Sequence, residues 1–428
     1  MCSRETFCGP RTVDFTCPLP SQIHREAAKI ARMNIEKTQW TKRFDFSMLS
    51  AWLILSLRLA LISYLWFGLD FRGYYAAAHV LLAGGNPYDY RLVAQVLLDV
   101  TGEMGNNPYY YPPWFTWLFI PLVYLPFQLA RVVWMIFNVV IWNIGLWELG
   151  EIIGWPELGW RRYALFTLST FSFAWITWRY EQAGILVFVM LVALILSVQK
   201  QNWIRAGIWL ALLLVKPNIT LLVVAGISLW LLRKGYWRSL LVMALTLILL
   251  FSISTLITPD WYQPFFDDGF GQGLTMALDG PDRIVAVRLN TTFLDWLGTL
   301  GIASQLHMPL YGILIGFGVF VFLWTVYRSE SLLEVVSVLL LLTYVLTPYA
   351  LQYDYPPLVI ILFWALYLCV YLPKAITVGL ALTGFVFSVI FWQQNISWAY
   401  WMVIGLIALT IWALYQKMLQ NRPASSKK

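Results

Sequence analysis

The chemistry available to this chain rests on a handful of charged side chains that stand apart from its basic clusters. Asp70 lies in Gly68-Leu69-Asp70-Phe71-Arg72-Gly73-Tyr74-Tyr75, two residues beyond the first long apolar run. A carboxylate at that water–lipid boundary can take a proton from an attacking hydroxyl; it can equally be a solvated cap of a loop. Arg179 and Lys216 each sit between an apolar run and a turn. Such cations can clamp a phosphate through charge-assisted hydrogen bonds or extend toward headgroups. Lys216 has the stronger claim, because Pro217 frees backbone groups beside it and irregular backbone at membrane depth survives only where it lines protein or a cavity. Asp354 belongs to Thr347-Pro348-Tyr349-Ala350-Leu351-Gln352-Tyr353-Asp354-Tyr355-Pro356-Pro357, where it could position a hydroxyl-rich ligand or cap the helix that follows.

Other residue types add less. With 24 Trp and 23 Tyr, most rings should form interfacial belts, although those near the turns also suit stacking on the C–H faces of a sugar. His24, His79 and His307 are far apart, and Asp267-Asp268 reads as a solvated turn, so no metal site is expected. Cys2, Cys8, Cys17 and Cys369 have neither zinc spacing nor a disulfide pattern. Asn290-Thr291-Thr292 matches a glycosylation acceptor, a short pattern that is common by chance. Arg58, inside the first apolar run, needs a partner within the protein.

The elements that must position these residues follow from composition. Of 428 residues, 12% are charged and 60% hydrophobic, and mean hydropathy is +0.67. A soluble globular protein needs roughly 25% charged residues to cover its surface. Apolar runs recur from Met48 to Tyr415, of the roughly 20 residues that cross a hydrocarbon core. Runs such as Leu240 to Ser252 are apolar on every face, which excludes the strict alternation of a membrane barrel. An all-α polytopic bundle is expected. The net charge of +7 comes from loop clusters and implies no nucleic acid partner.

Charge also orients the bundle. The tail 1–47, in which Met33 or Met48 offers another start, and the tail 416–428 are basic and should lie in the cytoplasm, bracketing a transmembrane domain over 48–415. Arg161-Arg162, Lys200 with Arg205, Arg233-Lys234 with Arg238, Arg328 and Lys374 belong on that side too. About twelve crossings satisfy these constraints if 112–147, broken by Pro112, Pro113, Pro121 and Pro126, makes a re-entrant piece and one full helix. Two long loops, 68–111 and 259–307, then lie outside, the first with a short interfacial helix over Tyr74–Leu82. The turns at Glu181-Gln182, Lys216-Pro217-Asn218, 348–355 and 393–397 share that side.

Asp70-Phe71 followed by Tyr74-Tyr75, an alanine-rich helix, Gly85-Asn86-Pro87-Tyr88-Asp89 and then Tyr111-Pro112-Pro113 resembles the opening of glycosyltransferase family 87. Trp134, Asn138, Gln182, Lys216-Pro217, Asn290 and Pro348 follow in the family's order, so the resemblance runs from about 50 to about 360. It implies a GT-C fold and an inverting transfer of a sugar, often mannose, from a polyprenyl phosphate donor to an extracytoplasmic lipid or glycan acceptor. Asp70 would be the catalytic base, and the donor itself the only cofactor-like partner. Lys216, with Arg179 or a second-loop arginine, would face the leaving phosphate. Tyr74, Tyr75, Asn86, Tyr88, Tyr111, Arg179, Glu181, Gln182, Lys216, Asn290, Tyr353 and Asp354 are the candidate substrate-binding residues.

Two departures stand out. Many mannosyl-transferring members resemble one another in a histidine after the proline matched by Pro348, where this chain has Tyr353-Asp354, and the usual Gly-Gln turn is Glu181-Gln182, with Glu181 free to bind substrate or to pair with Arg179. A transporter or flippase, or a polysaccharide ligase or polymerase, would share the polytopic architecture; discontinuous helices with mid-span charges and internal repeats would mark a transporter.

Overall fold

The computed structural model describes Leu53, Leu57, 69–102, 109–154, 170, 173–270, 292–368 and 399–420. The expectations for the tails 1–47 and 421–428, the four cysteines, His24, Arg58, Arg161-Arg162, Asn290, Lys374 and the turn 393–397 lie outside those residues. Contacts divide the chain at Met48, and every described residue belongs to the larger unit.

Among the described residues the structure is helical, with no strand. The region expected as a first long loop is instead largely two helices, α1 (Leu69–Leu82) and α2 (Tyr90–Thr101). Ala76, Val80, Val93 and Leu97 pack between them, a spacing of four on both helices that puts each pair on one face. Gly84, with φ +76°, turns the chain between the two, and Asp89 caps α2 by accepting from the Arg91 amide at 2.9 Å. Asp70 therefore stands within a helix rather than in a loop, and the same helix contains the expected segment Tyr74–Leu82, in which Ala76, Ala77 and Ala78 are wholly enclosed while Leu82 is exposed.

The proline-rich stretch forms short turns at Pro113–Thr116 and Ile120–Val123, followed by one long helix, α3 (Phe127–Ile152). Next come α4 (173–180), α5 (Gly184–Gln199), α6 (Trp203–Leu212), α7 (Pro217–Arg233) and α8 (Trp237–Ile257). The second half holds α9 (Phe293–Thr299), α10 (His307–Arg328), α11 (Leu332–Leu346), α12 (Leu358–Leu368) and α13 (Ala399–Gln420).

Phe127–Ile152, Trp237–Ile257 and Ser304–Arg328 are the three described helices long and apolar enough to cross a membrane; several shorter apolar helices accompany them. Only 6% of the apolar window of α8 is buried, so its leucines and isoleucines face outward, as a lipid-exposed helix requires. Small residues let helices approach: a Cβ at Gly207 of α6 would lie 2.4 Å from the Ser239 carbonyl oxygen of α8, and one at Gly226 of α7 would lie 2.4 Å from Leu339 of α11.

The two ends of the bundle differ. At one, Arg233 donates to the Ser329 carbonyl at 2.6 Å and, with Lys234, pairs with Glu330, which brings two expected cytoplasmic clusters together. At the other, Thr347 donates to the Asn218 carbonyl at 3.2 Å and Thr177 to the Tyr353 carbonyl at 2.8 Å. The turns after α4, before α7 and after α11 thus meet, as a shared side demands.

Candidate active site

The site is assembled where those turns meet the first helix. Asp70 and Tyr74 are one turn apart on α1 and point the same way. α4 ends at Tyr180; Glu181 follows in a turn with φ +57°, and the next residue, Gln182, projects toward α1. Its Nε2 donates to Asp70 Oδ2 at 2.5 Å. Its Oε1 accepts from Tyr74 at 2.8 Å, from Tyr111 at 2.7 Å and from Lys216 Nζ at 3.2 Å. An ammonium only donates and a carboxylate only accepts, so the amide has one possible orientation between them.

Lys216 is placed by a break in the backbone. The 3₁₀ turn Leu213–Val215 stops, Lys216 leaves the helical region at φ −134° and ψ 73°, and Pro217 opens α7. Thr220 closes the break by sharing its hydroxyl with the carbonyls of Leu213 at 2.6 Å and Lys216 at 2.9 Å. The ammonium lies 2.5 Å from Asp354 Oδ1, and 5.0 Å from the ring of Tyr353. Burial opposes its charge, but Asp354 and Tyr111 together outweigh it and hold the lysine above its ordinary pKa.

Asp354 does both less and more than expected. Its Oδ2 accepts from the Leu351 amide at 3.0 Å, a cap of its own turn, while Oδ1 engages Lys216. Fully buried, it is the ion-pair partner of Lys216. Gly184 permits this packing, since a Cβ there would lie 2.3 Å from the Tyr353 carbonyl oxygen.

Tyr111 is fixed from behind. Its ring stacks on Phe115 at 4.5 Å, and its carbonyl accepts from the Tyr88 hydroxyl at 2.7 Å. Tyr88 meets Phe265 at 5.9 Å, which joins the start of the second expected loop to the first. Asn86 caps this turn by accepting from the Tyr88 amide at 3.0 Å. Tyr75 turns away from the cluster, donating to the Leu125 carbonyl at 2.8 Å and packing on Phe127. Asn86, Tyr88 and Tyr75 thus each hydrogen-bond backbone of the turns around the cluster, and Arg179 is half-buried at the end of α4.

Glu181 departs most from expectation. It pairs with Arg131 of α3, not with Arg179: the guanidinium reaches Oε1 at 2.7 Å through Nη2 and at 3.0 Å through Nε. Trp134 Nε1 donates to the Glu181 carbonyl at 2.8 Å. The carboxylate is wholly enclosed, and burial lifts its pKa to about 7 against the pull of Arg131. Arg131 escaped the sequence reading, although an arginine in the second turn of a long apolar helix requires a buried partner.

Asp70 is half-buried. Burial raises its carboxyl to about 6, while the Gln182 hydrogen bond and the Lys216 charge pull it down and Asp354 pushes it up. Among the described residues, no hydrogen bond engages its other oxygen, Oδ1. The arrangement provides a carboxylate poised near neutrality, one oxygen tethered, with a buried cation in the same network. Among the described residues, no group of three His, Cys, Asp or Glu side chains has metal-ligating geometry.

No curated protein matches the chain. The model of glycosyltransferase family 87 matches residues 109–348, more than half of it. The match includes Tyr111, Arg131, Gln182 and Lys216, and Asp70 and Asp354 join them from either side through the contacts above. The chain belongs to glycosyltransferase family 87 and is a membrane glycosyltransferase.

Proposed function

We propose that this enzyme transfers mannose or a related sugar from a polyprenyl phosphate to a lipid or glycan acceptor on the extracytoplasmic face of the cell membrane, with inversion, and that Asp70 is the general base. The observation that carries this reading is the state of Asp70: lifted to about 6, tethered through Oδ2 to Gln182, and next to the Lys216 ammonium in one hydrogen-bonded network. A base of that strength is ionised at neutral pH yet basic enough to accept a proton as the new bond forms.

In the step proposed, an acceptor hydroxyl attacks the anomeric carbon from the face opposite the phosphate. Its proton passes to Asp70, the bond from the anomeric carbon to the phosphate oxygen breaks, and that electron pair leaves on the polyprenyl phosphate. The leaving group is already an anion, so it needs a cation more than an acid. Lys216 is the cation hydrogen-bonded into the Asp70 network, and Asp354 keeps it charged. Tyr111 and Tyr353, with rings 5.7 and 5.0 Å from that ammonium, are the aromatic walls suited to the sugar, and half-buried Arg179 is the second candidate for the phosphate. Asn290 keeps its proposed role on the strength of its place in the family's order alone.

The extracytoplasmic assignment is supported by charge. The Arg233, Lys234 and Arg328 clusters lie at the end expected to face the cytoplasm, away from the turns that form the site. Outside the cytoplasm, nucleotide sugars are not expected, whereas a flipped lipid donor is. Incubating purified protein with radiolabelled polyprenyl phosphate sugars and an outer-leaflet lipid extract should give a labelled product, and nucleotide sugars should not. Transfer from nucleotide sugars alone would overturn the proposal.

A further inference from the structure

We infer that Gln182 and the buried Arg131–Glu181 pair are positioning residues: the pair locks a left-handed turn that aims the Gln182 amide at Asp70 Oδ2 and so reserves Oδ1 for the acceptor hydroxyl. This rests on the reading of Asp70 as base. It reassigns Glu181 and Gln182, both candidate substrate ligands by sequence, and it gives Arg131 a role.

The geometry has three parts. Glu181 occupies φ +57°, a region that costs an ordinary residue energy and that persists only where surroundings enforce it. The enforcement comes from α3 at both ends of the residue: Arg131 grips the carboxylate through two nitrogens, and Trp134 grips the carbonyl at 2.8 Å. Arg131 is itself held, donating to Gln128 Oε1 at 3.2 Å and lying 5.9 Å above the Phe127 ring.

The consequence appears one residue later. The Gln182 amide donates to the Thr177 carbonyl at 3.0 Å, which fixes where its side chain leaves the backbone. Four donors, the side chains of Tyr74, Tyr111 and Lys216 and the Ala183 backbone amide, then surround Oε1, so Nε2 can only face Asp70. A substrate hydroxyl would find Oε1 already crowded. Gln182 thus acts on the reaction through Asp70.

The charged and titratable groups around Asp70 are Tyr74 on its own helix, Tyr111 before the proline turns, Lys216 from the break before α7, Tyr353 and Asp354 from the turn after α11, and Tyr180 and Glu181 at and just after the end of α4. Loss of the Gln182 bond removes the stabiliser of the ionised carboxylate, so the acid limb of turnover should move up.

The test compares Arg131→Met with Arg131→Met/Glu181→Gly in full-length protein, using polyprenyl phosphate mannose and an outer-leaflet lipid extract. Glycine adopts the left-handed turn without strain, and removing both charges leaves none buried alone. The single variant should lose about tenfold or more in kcat at unchanged donor KM, with the acid limb raised by about one pH unit, as expected for a hydrogen bond to a charged group. The double variant should recover most of the turnover and the normal limb. If the single variant fails to fold, Gln182→Ala, which removes the same hydrogen bond to Asp70 and leaves the ion pair intact, takes its place with the same expected loss and limb shift. A rise in donor KM, a folded but inactive double variant, or an unmoved limb in both overturns the inference. Asp70→Asn serves as the control: wild-type turnover in that variant would remove the base assignment itself, whereas an inactive Asp70→Asn with an unmoved limb removes only the positioning role.

Discussion

The side-chain nitrogen of Gln182 lies 2.5 Å from Oδ2 of Asp70, across 112 positions of sequence. That contact joins the first helix to the turn after α4, and the same amide carries the link onward through its oxygen to Lys216 and thence to Asp354. Substitution at any of these positions should be felt at the others.

Gln182→Glu tests the link directly. A second carboxylate in place of the amide donor would repel the ionised form of Asp70. Turnover should fall by about 10²-fold at neutral pH, of the order general base catalysis supplies. The acid limb of the kcat profile should rise further than in Gln182→Ala, and pH titration of initial rates would show it.

Asp70 should cost the fold stability. Its folded pKa of about 6 stands above the ordinary carboxylate value of about 3.9, so the fold favours the neutral acid. Its contribution is fully present below about pH 4 and is lost as the pH rises through about 6. Asp70→Asn should therefore melt at a higher temperature than wild type at pH 7.5 in detergent, and the gain should vanish toward pH 4. Thermal unfolding followed across that range measures both.

Much of this was legible beforehand. Asp70 and Lys216-Pro217 stand out because charge and proline are rare in apolar sequence, and turns that carry like features on one side of a membrane can meet. The helix over Tyr74–Leu82 was legible, but its start at Leu69 and the second helix, Tyr90–Thr101, were obscured by their short length and by the Gly-Gly-Asn-Pro turn between them. Glu181 stayed open between substrate and Arg179, because its actual partner, Arg131, is 50 residues away and no local pattern links the two; the αL turn directs the carboxylate toward α3. Asp354 could be read as a ligand for hydroxyls or a cap of the following helix, but it caps its own turn, and its pairing with Lys216 depended on how α7 and the turn after α11 cross, which no local pattern specifies.

The Lys216–Asp354 pair separates structure from chemistry. Removing one member of a buried ion pair costs about 3–5 kcal/mol. Lys216→Met and Asp354→Asn should each lower the melting temperature and abolish transfer. Lys216→Met/Asp354→Asn should regain most of the stability and none of the activity, because the cation for the leaving phosphate is gone. A double variant that regained turnover would show the pair to be purely structural.

Gly184→Ala should act at a distance. The new methyl would meet the Tyr353 carbonyl oxygen at 2.3 Å, a backbone atom that cannot swing aside. The turn bearing Tyr353 and Asp354 must shift, at a cost of about 1–3 kcal/mol typical of overpacking. Reduced thermal stability with a raised donor KM is the expected pair of results.

The most direct measurement of the central claim is the rate of sugar transfer by purified Asp70→Asn, set beside its binding of the donor. Asparagine keeps the shape and cannot accept the proton, so transfer should fall by about 10²- to 10⁴-fold while donor binding stays within a few fold of wild type. Transfer at the wild-type rate would contradict the account.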